Sequence, residues 1–161
     1  FNPDNAGDVL SCATYHAKKV ISTVSVGVLA QRASSLFDPP FPQSKLNDMN
    51  AVYDMGLFYK LFFSFPTKFW GDSQIISIAA NDRGKCHVWQ NLASSSFLPD
   101  SNTMFCTLTT EWVHELKYNR GLSDAEIQEE VLGPLRLAYP DMPEPDNFHY
   151  PDWDVDPWTY R

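Results

Sequence analysis

An α+β fold, with a mixed, mostly antiparallel sheet flanked by helices, is what this sequence predicts, and three features carry that expectation. Apolar residues alternate through 55–65, short β-rich segments separated by turn residues follow from 74 to 109, and two capped helical segments come after them. Short connections favour sequential neighbours, so four adjacent strands with one covered face are expected. At 161 residues, with 43% hydrophobic and 14% aromatic content, the chain has the material for a real core.

Taken in order, residues 2–7 are turn chemistry, and 9–15 suggest a short strand. Residues 19–24 form a β-branched run that predicts a strand, with Ser25 placed to cap a short helix. Asp38-Pro-Pro-Phe-Pro42 halts any helix, after which Ser44 is the expected cap of a helix reaching Tyr53, with Leu46, Met49 and Tyr53 on one stripe. In 55–65 the odd positions (Met55, Leu57, Tyr59, Leu61, Phe63, Phe65) are all apolar, which predicts a strand with that row in the core. Further strands are expected at 74–80, 85–91 and 103–109, with a turn at Asn81-Asp-Arg-Gly84. Thr110 is the expected cap of a helix bearing Trp112, Val113 and Leu116. Ser123-Asp-Ala-Glu126 is a capping box opening a second helix with Ile127, Val131 and Leu135 inward, kinked or broken at Gly133-Pro134.

The formal charge of −8 leaves no footprint for nucleic acid, and no apolar run approaches membrane-spanning length. Such a charge mildly attracts cations. The cysteines, Cys12, Cys86 and Cys106, are odd in number and follow no C-x-x-C spacing, so they suggest neither a disulfide framework nor a zinc site. Asp152-Trp-Asp-Val-Asp156 imitates a calcium loop, but Pro157 sits where that loop needs glycine, and no metal site is expected. The seven glycines never fall within two residues of one another, so no G-x-G-x-x-G or phosphate loop occurs and the chain alone is not expected to hold a dinucleotide tightly. With neither Met nor a signal peptide at its start, the chain reads as a piece of something longer.

Lys60 is the candidate functional residue. On the even face of the 55–65 strand it stands between Phe58 and Phe62, and if that face is covered these rings exclude water from its ammonium. The alternative is a lysine that snorkels to solvent or guards a sheet edge, and the pattern by itself favours it.

The series Val20-Ile-Ser-Thr-Val-Ser-Val-Gly-Val-Leu29, Met55-Gly-Leu-Phe-Tyr-Lys-Leu-Phe62, Phe65-Pro-Thr-Lys-Phe-Trp70, Val88-Trp-Gln90, the Ser123 helix and Trp153-Asp-Val-Asp-Pro-Trp158 resembles the flavin-containing amine oxidases, and among them the polyamine oxidases, over nearly the whole chain. The resemblance implies that Thr23, Val24 and Ser25 contact FAD and that Trp153 approaches the flavin. It gives Lys60 a catalytic place beside the ring, linked through a water to N5. Phe58 takes a position where relatives often carry a tunnel tyrosine, so Phe58 and Phe62 stand on the substrate side. Residues 1–29 then belong to the tail of the FAD-binding domain and 30–161 to the substrate-binding domain, with most of the FAD site upstream and downstream of this piece. The implied substrates are a small cationic amine and O2. The competing readings are a non-catalytic interaction module of the same fold, and an amino-acid oxidase or desaturase. The latter usually needs an arginine aimed at a carboxylate.

Overall fold

The computed structural model describes residues 14–53 and 55–159. Its elements are α1 (Val26–Leu36), α2 (Gln43–Val52), β1 (Tyr59–Ser64), β2 (Ile75–Ser77), β3 (Lys85–Asn91), β4 (Thr103–Leu108), α3 (Thr110–Val113), a π-helical segment (His114–Asn119), α4 (Asp124–Ala138) and β5 (Asn147–His149). The strands form one sheet in the order β2-β3-β4-β1-β5, and every pairing in it is antiparallel.

The period-two row is buried from Leu57 onward, whereas Met55 is only partly buried and the strand itself begins at Tyr59 rather than at 55. Leu57, Tyr59, Leu61, Phe63 and Phe65 are all buried, and they share one core with Trp89, Met104, Cys106 and Leu108 of the neighbouring strands. Val113 and Leu116 cover that face together with Ile127, Val131, Leu132 and Leu135 of α4. The opposite face carries Phe58, Lys60 and Val88, all exposed.

Sequential neighbourhood fails at one point. β1 pairs not with β2 but with β4, in the register Lys60↔Thr107 and Phe62↔Phe105, and on its other side with β5, where Phe63 meets Phe148. The chain between β1 and β2 is long enough to cross over, and the central place gives the most apolar strand two hydrogen-bonded neighbours. The three-residue β2 is left at an edge, shorter than its sequence suggested.

The β-branched run at 19–24 forms no strand, and Val20 and Ile21 stand exposed. High β propensity expresses itself only where a partner edge supplies hydrogen bonds, and none of the described residues supplies one here. The suggested strand at 9–15 lies mostly outside the described residues, and 14 and 15 form none.

Local signals fix two of the four helix starts. Ser25 caps α1, its hydroxyl accepting from the Val28 amide at 3.2 Å. Ser123 and Glu126 close the capping box of α4, with the Ser123 amide donating to Glu126 at 2.8 Å. Two caps differ. α2 starts one residue before Ser44, behind Pro42 and without a side-chain cap. Thr109 takes the N-cap of α3, because the Thr110 hydroxyl instead donates to the Leu57 carbonyl at 2.8 Å.

α4 also runs unbroken through Gly133 and Pro134. Buried Val131, Leu132 and Leu135 anchor it on both sides of the lost hydrogen bond, and that burial outweighs the local break. In the 81–84 turn, Gly84 has φ +79°, and a Cβ there would meet Thr109 Cγ2 at 2.7 Å, so glycine is required.

The cysteine reading is overturned. Cys86 and Cys106, both fully buried, form a disulfide between β3 and β4 with a Cα separation of 4.9 Å. Spacing along the chain carried no sign of it, since a bulge in the β3–β4 ladder between Lys85 and Trp89 is what brings Cys86 beside Cys106.

Candidate functional site

Between the start of β1, the N-terminus of α1 and the carboxyl-terminal tail lies an open cleft of about 270 Å3. Ser25, Phe58, Tyr59, Trp153, Asp154 and Thr159 are among its walls. Ser25 arrives there because the helix it caps begins at the rim, and Phe58 because it precedes β1 on the open face of the sheet. Phe58 is 58% exposed and Trp153 50% exposed, so each keeps about half of an aromatic surface for something outside the described residues.

A hydrogen-bonded arc closes the tail onto α1. The Ser25 hydroxyl donates to the Thr159 carbonyl, and the Thr159 hydroxyl donates to the Trp153 carbonyl. Arg32 of α1 stacks over the Trp158 ring at 5.5 Å. Residues more than a hundred positions apart thus form one wall.

Beneath the cleft sits a polar cluster in otherwise apolar surroundings. The Tyr59 ring belongs to the core row, but its hydroxyl donates to Asp152 at 2.5 Å and also contacts Asp154. Lys117 donates to the same hydroxyl at 3.2 Å, pairs with Asp152, and lies 3.6 Å from Asp154. Burial, aided by hydrogen bonds to the two carboxylates, pushes the Tyr59 phenol far above its ordinary value near 10. Burial and a hydrogen bond to Asp124 push Tyr150 the same way.

Because both folded values exceed the unfolded ones, the stability these phenols contribute is complete below about pH 10 and is lost as pH rises from there. Alkaline unfolding followed by circular dichroism is therefore expected to steepen above about pH 10. Tyr59→Phe is expected to flatten that limb, and an unchanged limb in the variant would count against the cluster.

Of the residues singled out in the sequence, the cleft gathers Ser25, Phe58 and Trp153. Thr23 and Val24 precede it as exposed chain outside any helix or strand. Phe62 packs on Phe105 with ring centroids 5.3 Å apart, away from the cleft walls. Lys60 shares the open face with Phe58, two residues further along, and its ammonium sits 5.1 Å over the Phe105 ring.

The covered face on which Phe58 and Phe62 would exclude water is not found: Lys60 is exposed, as the snorkelling alternative has it, because among the described residues no element covers that face. Sequence reasoning missed Tyr59, Lys117, Asp152 and Asp154. One signal was available, since a tyrosine in a core row needs a partner for its hydroxyl.

Among the described residues, no group of three or more His, Cys, Asp or Glu side chains is arranged to hold a metal ion, and no helix is long and apolar enough to cross a membrane. Arg120 pairs with Glu130, and Arg136 with Glu129 and Glu144, which leaves neither aimed at the cleft.

Residues 4–161 match the family described as flavin containing amine oxidoreductase. Polyamine oxidase 1 of Zea mays is 30% identical over 156 residues, an alignment covering 92% of this chain and 29% of that protein. Polyamine oxidase 6 of Oryza sativa subsp. japonica is 31% identical over 139 residues, covering 83% and 26%. The solved structure of a triple mutant of putrescine oxidase superposes with a TM-score of 0.62 at 21% identity, over 84% of this chain and 28% of that one, a likeness of fold. This chain therefore spans less than a third of the length of the curated relatives it matches.

Proposed function

The chain belongs to the flavin containing amine oxidoreductase family, and from that premise we propose that the intact protein is an FAD-dependent oxidase of a polyamine-like amine. In this reading residues 30–161 form the substrate-binding domain, and residues 1–29 are the tail of the FAD-binding domain. The observation that carries it is the meeting of Ser25, Phe58 and Trp153 in one open cleft, where two half-exposed aromatic rings share a wall with a hydroxyl.

The residues present fit the edge of a flavin. A flat ring finds the half-exposed indole of Trp153 and the ring of Phe58, with Ser25 at the rim of the same cleft. The dinucleotide portion falls to segments outside this chain, which has no glycine-rich phosphate loop. Bound FAD would supply the two-electron acceptor chemistry for oxidising the C–N bond and reducing O2 to hydrogen peroxide, the resulting imine hydrolysing to an aldehyde.

The chain's own share is binding and proton handling. An amine must lose its proton before it is oxidised, and apolar walls such as Phe58 disfavour the charged form. Lys60, on the same face, is assigned to hold a water between its ammonium and the flavin; the covering that desolvates it comes from outside the described residues.

Protein purified from the full reading frame is expected to be yellow, with flavin absorbance that bleaches anaerobically on adding a linear polyamine and with peroxide formed in air. A colourless protein that releases no peroxide from any of a panel of polyamines would overturn the reading and favour a non-catalytic module.

A further inference from the structure

Trp153 is gripped from both sides by its sequence neighbours. Asp152 and Asp154 flank it, and both carboxylates converge on the Lys117 ammonium and the Tyr59 hydroxyl. The Trp153 carbonyl is fixed separately, through Thr159 to Ser25. The arc through Ser25 ties the tail to α1, whereas the grip through Lys117 ties it to the sheet and to the helical layer behind. Trp153 lines the cleft between these two anchors and is 50% exposed.

Lys117 is unusually placed for this duty. It lies on the π-helical segment, where the Arg120 amide donates five residues back to the Glu115 carbonyl at 3.0 Å. A π-helical turn inserts a residue relative to an α-helix and re-aims the side chains it carries, and such turns are frequent at functional sites. The Lys117 side chain is 19% exposed, and its ammonium lies 5.5 Å from the Tyr59 ring centroid and 5.4 Å from that of Tyr118.

Two carboxylates two positions apart in sequence and turned toward one point repel each other unless a cation stands between them. Without that cation they are left unbalanced, Asp154 with only 3% of its side chain exposed, and the segment joining them has every reason to turn outward. That segment is Trp153.

We infer that Lys117 is a positioning residue of the cleft: clamped between Asp152 and Asp154, it holds Trp153 in the orientation that shapes the cleft and so sets how tightly the amine is bound. The inference rests on the amine-oxidase reading for the identity of the ligand, but not for the orientation of Trp153.

The test uses the full-length, flavin-bound protein carrying 5-fluorotryptophan, with the Trp153 resonance assigned by its loss in Trp153→Phe. Lys117→Met is expected to move that resonance while leaving the other indoles in place, and to raise KM for spermine about tenfold with kcat changed by less than about twofold. Lys117→Arg, which keeps the charge, is expected to restore both. Should Lys117→Met fail to fold, Asp152→Asn and Asp154→Asn are expected to move the same resonance by loosening one side of the clamp each.

A Trp153 resonance unmoved in these variants overturns the inference, and so does a moved resonance with KM unchanged. A protein that oxidises no polyamine yet shows the shift overturns the oxidase reading and supports the positioning role of Lys117.

Discussion

Lys60→Met in the intact, flavin-bound protein is expected to slow flavin reduction, its reoxidation, or both by about tenfold or more, which is about 1.4 kcal/mol of barrier. Methionine keeps the length and the apolar stem of the side chain and removes the charge and its three donors. The residue sits one step into β1, on the face it shares with Phe58 at the cleft wall, a rise of about 7 Å along the strand from one to the other. Its ammonium rests 5.1 Å over Phe105, which holds the amine over the open face rather than at the sheet edge.

Two forms of the group compete. An exposed strand lysine that merely snorkels changes neither half-reaction when replaced. A lysine that holds a water against the flavin changes at least one. Anaerobic stopped-flow reduction by a polyamine, followed by mixing with air-saturated buffer, separates the half-reactions, and unchanged rates in both would remove Lys60 from the site.

The second large effect concerns the other face of the same strand. Phe63 is 0% exposed, with ring centroids 5.3 Å from Trp89 and 4.9 Å from Phe148, so it joins the centre of the sheet to its last strand. Phe63→Ala is expected to destabilise the protein by about 3–5 kcal/mol, the range for a buried phenylalanine leaving a cavity. Phe58→Ala, five residues earlier on the exposed face, is expected to change stability by less than about 0.5 kcal/mol while weakening binding of the amine. Urea denaturation of both variants in the intact protein checks the contrast. Similar midpoints for the two would mean that the faces of β1 have been misassigned.

That contrast between Phe63 and Phe58 was legible in the sequence, because side chains alternate along a strand and the odd row from Met55 to Phe65 is apolar throughout. The capping box at Ser123, the cap at Ser25 and the turn ending at Gly84 were legible for a similar reason: each depends on interactions spanning only a few residues. Where the sequence misled, a distant partner had been supplied or withheld. Residues 19–24 have strand chemistry but no neighbouring edge among the described residues, and Cys86 and Cys106 gain a partner only once β3 and β4 are paired.

The candidate site divides along the same line. Lys60, Phe58, Ser25 and Trp153 stood out through residue type and resemblance, although the exposure of Lys60 ran against the expectation that its ring neighbours would cover it. The cluster beneath the cleft did not stand out, because Asp152 and Asp154 resemble any acidic tail until Tyr59 and Lys117 are beside them.

By itself, then, the sequence determined which way the central strand faces, where α1 and α4 begin, that a phosphate-binding loop is missing, and which family the chain resembles. Only the tertiary structure decided that β1 lies between β4 and β5, and that Ser25 and Tyr59 meet a tail more than ninety residues away. The physical reason is one of range: periodicity and capping act within a turn or a pleat, whereas strand order and a shared cleft follow from which distant surfaces bury the most apolar area when the whole chain closes.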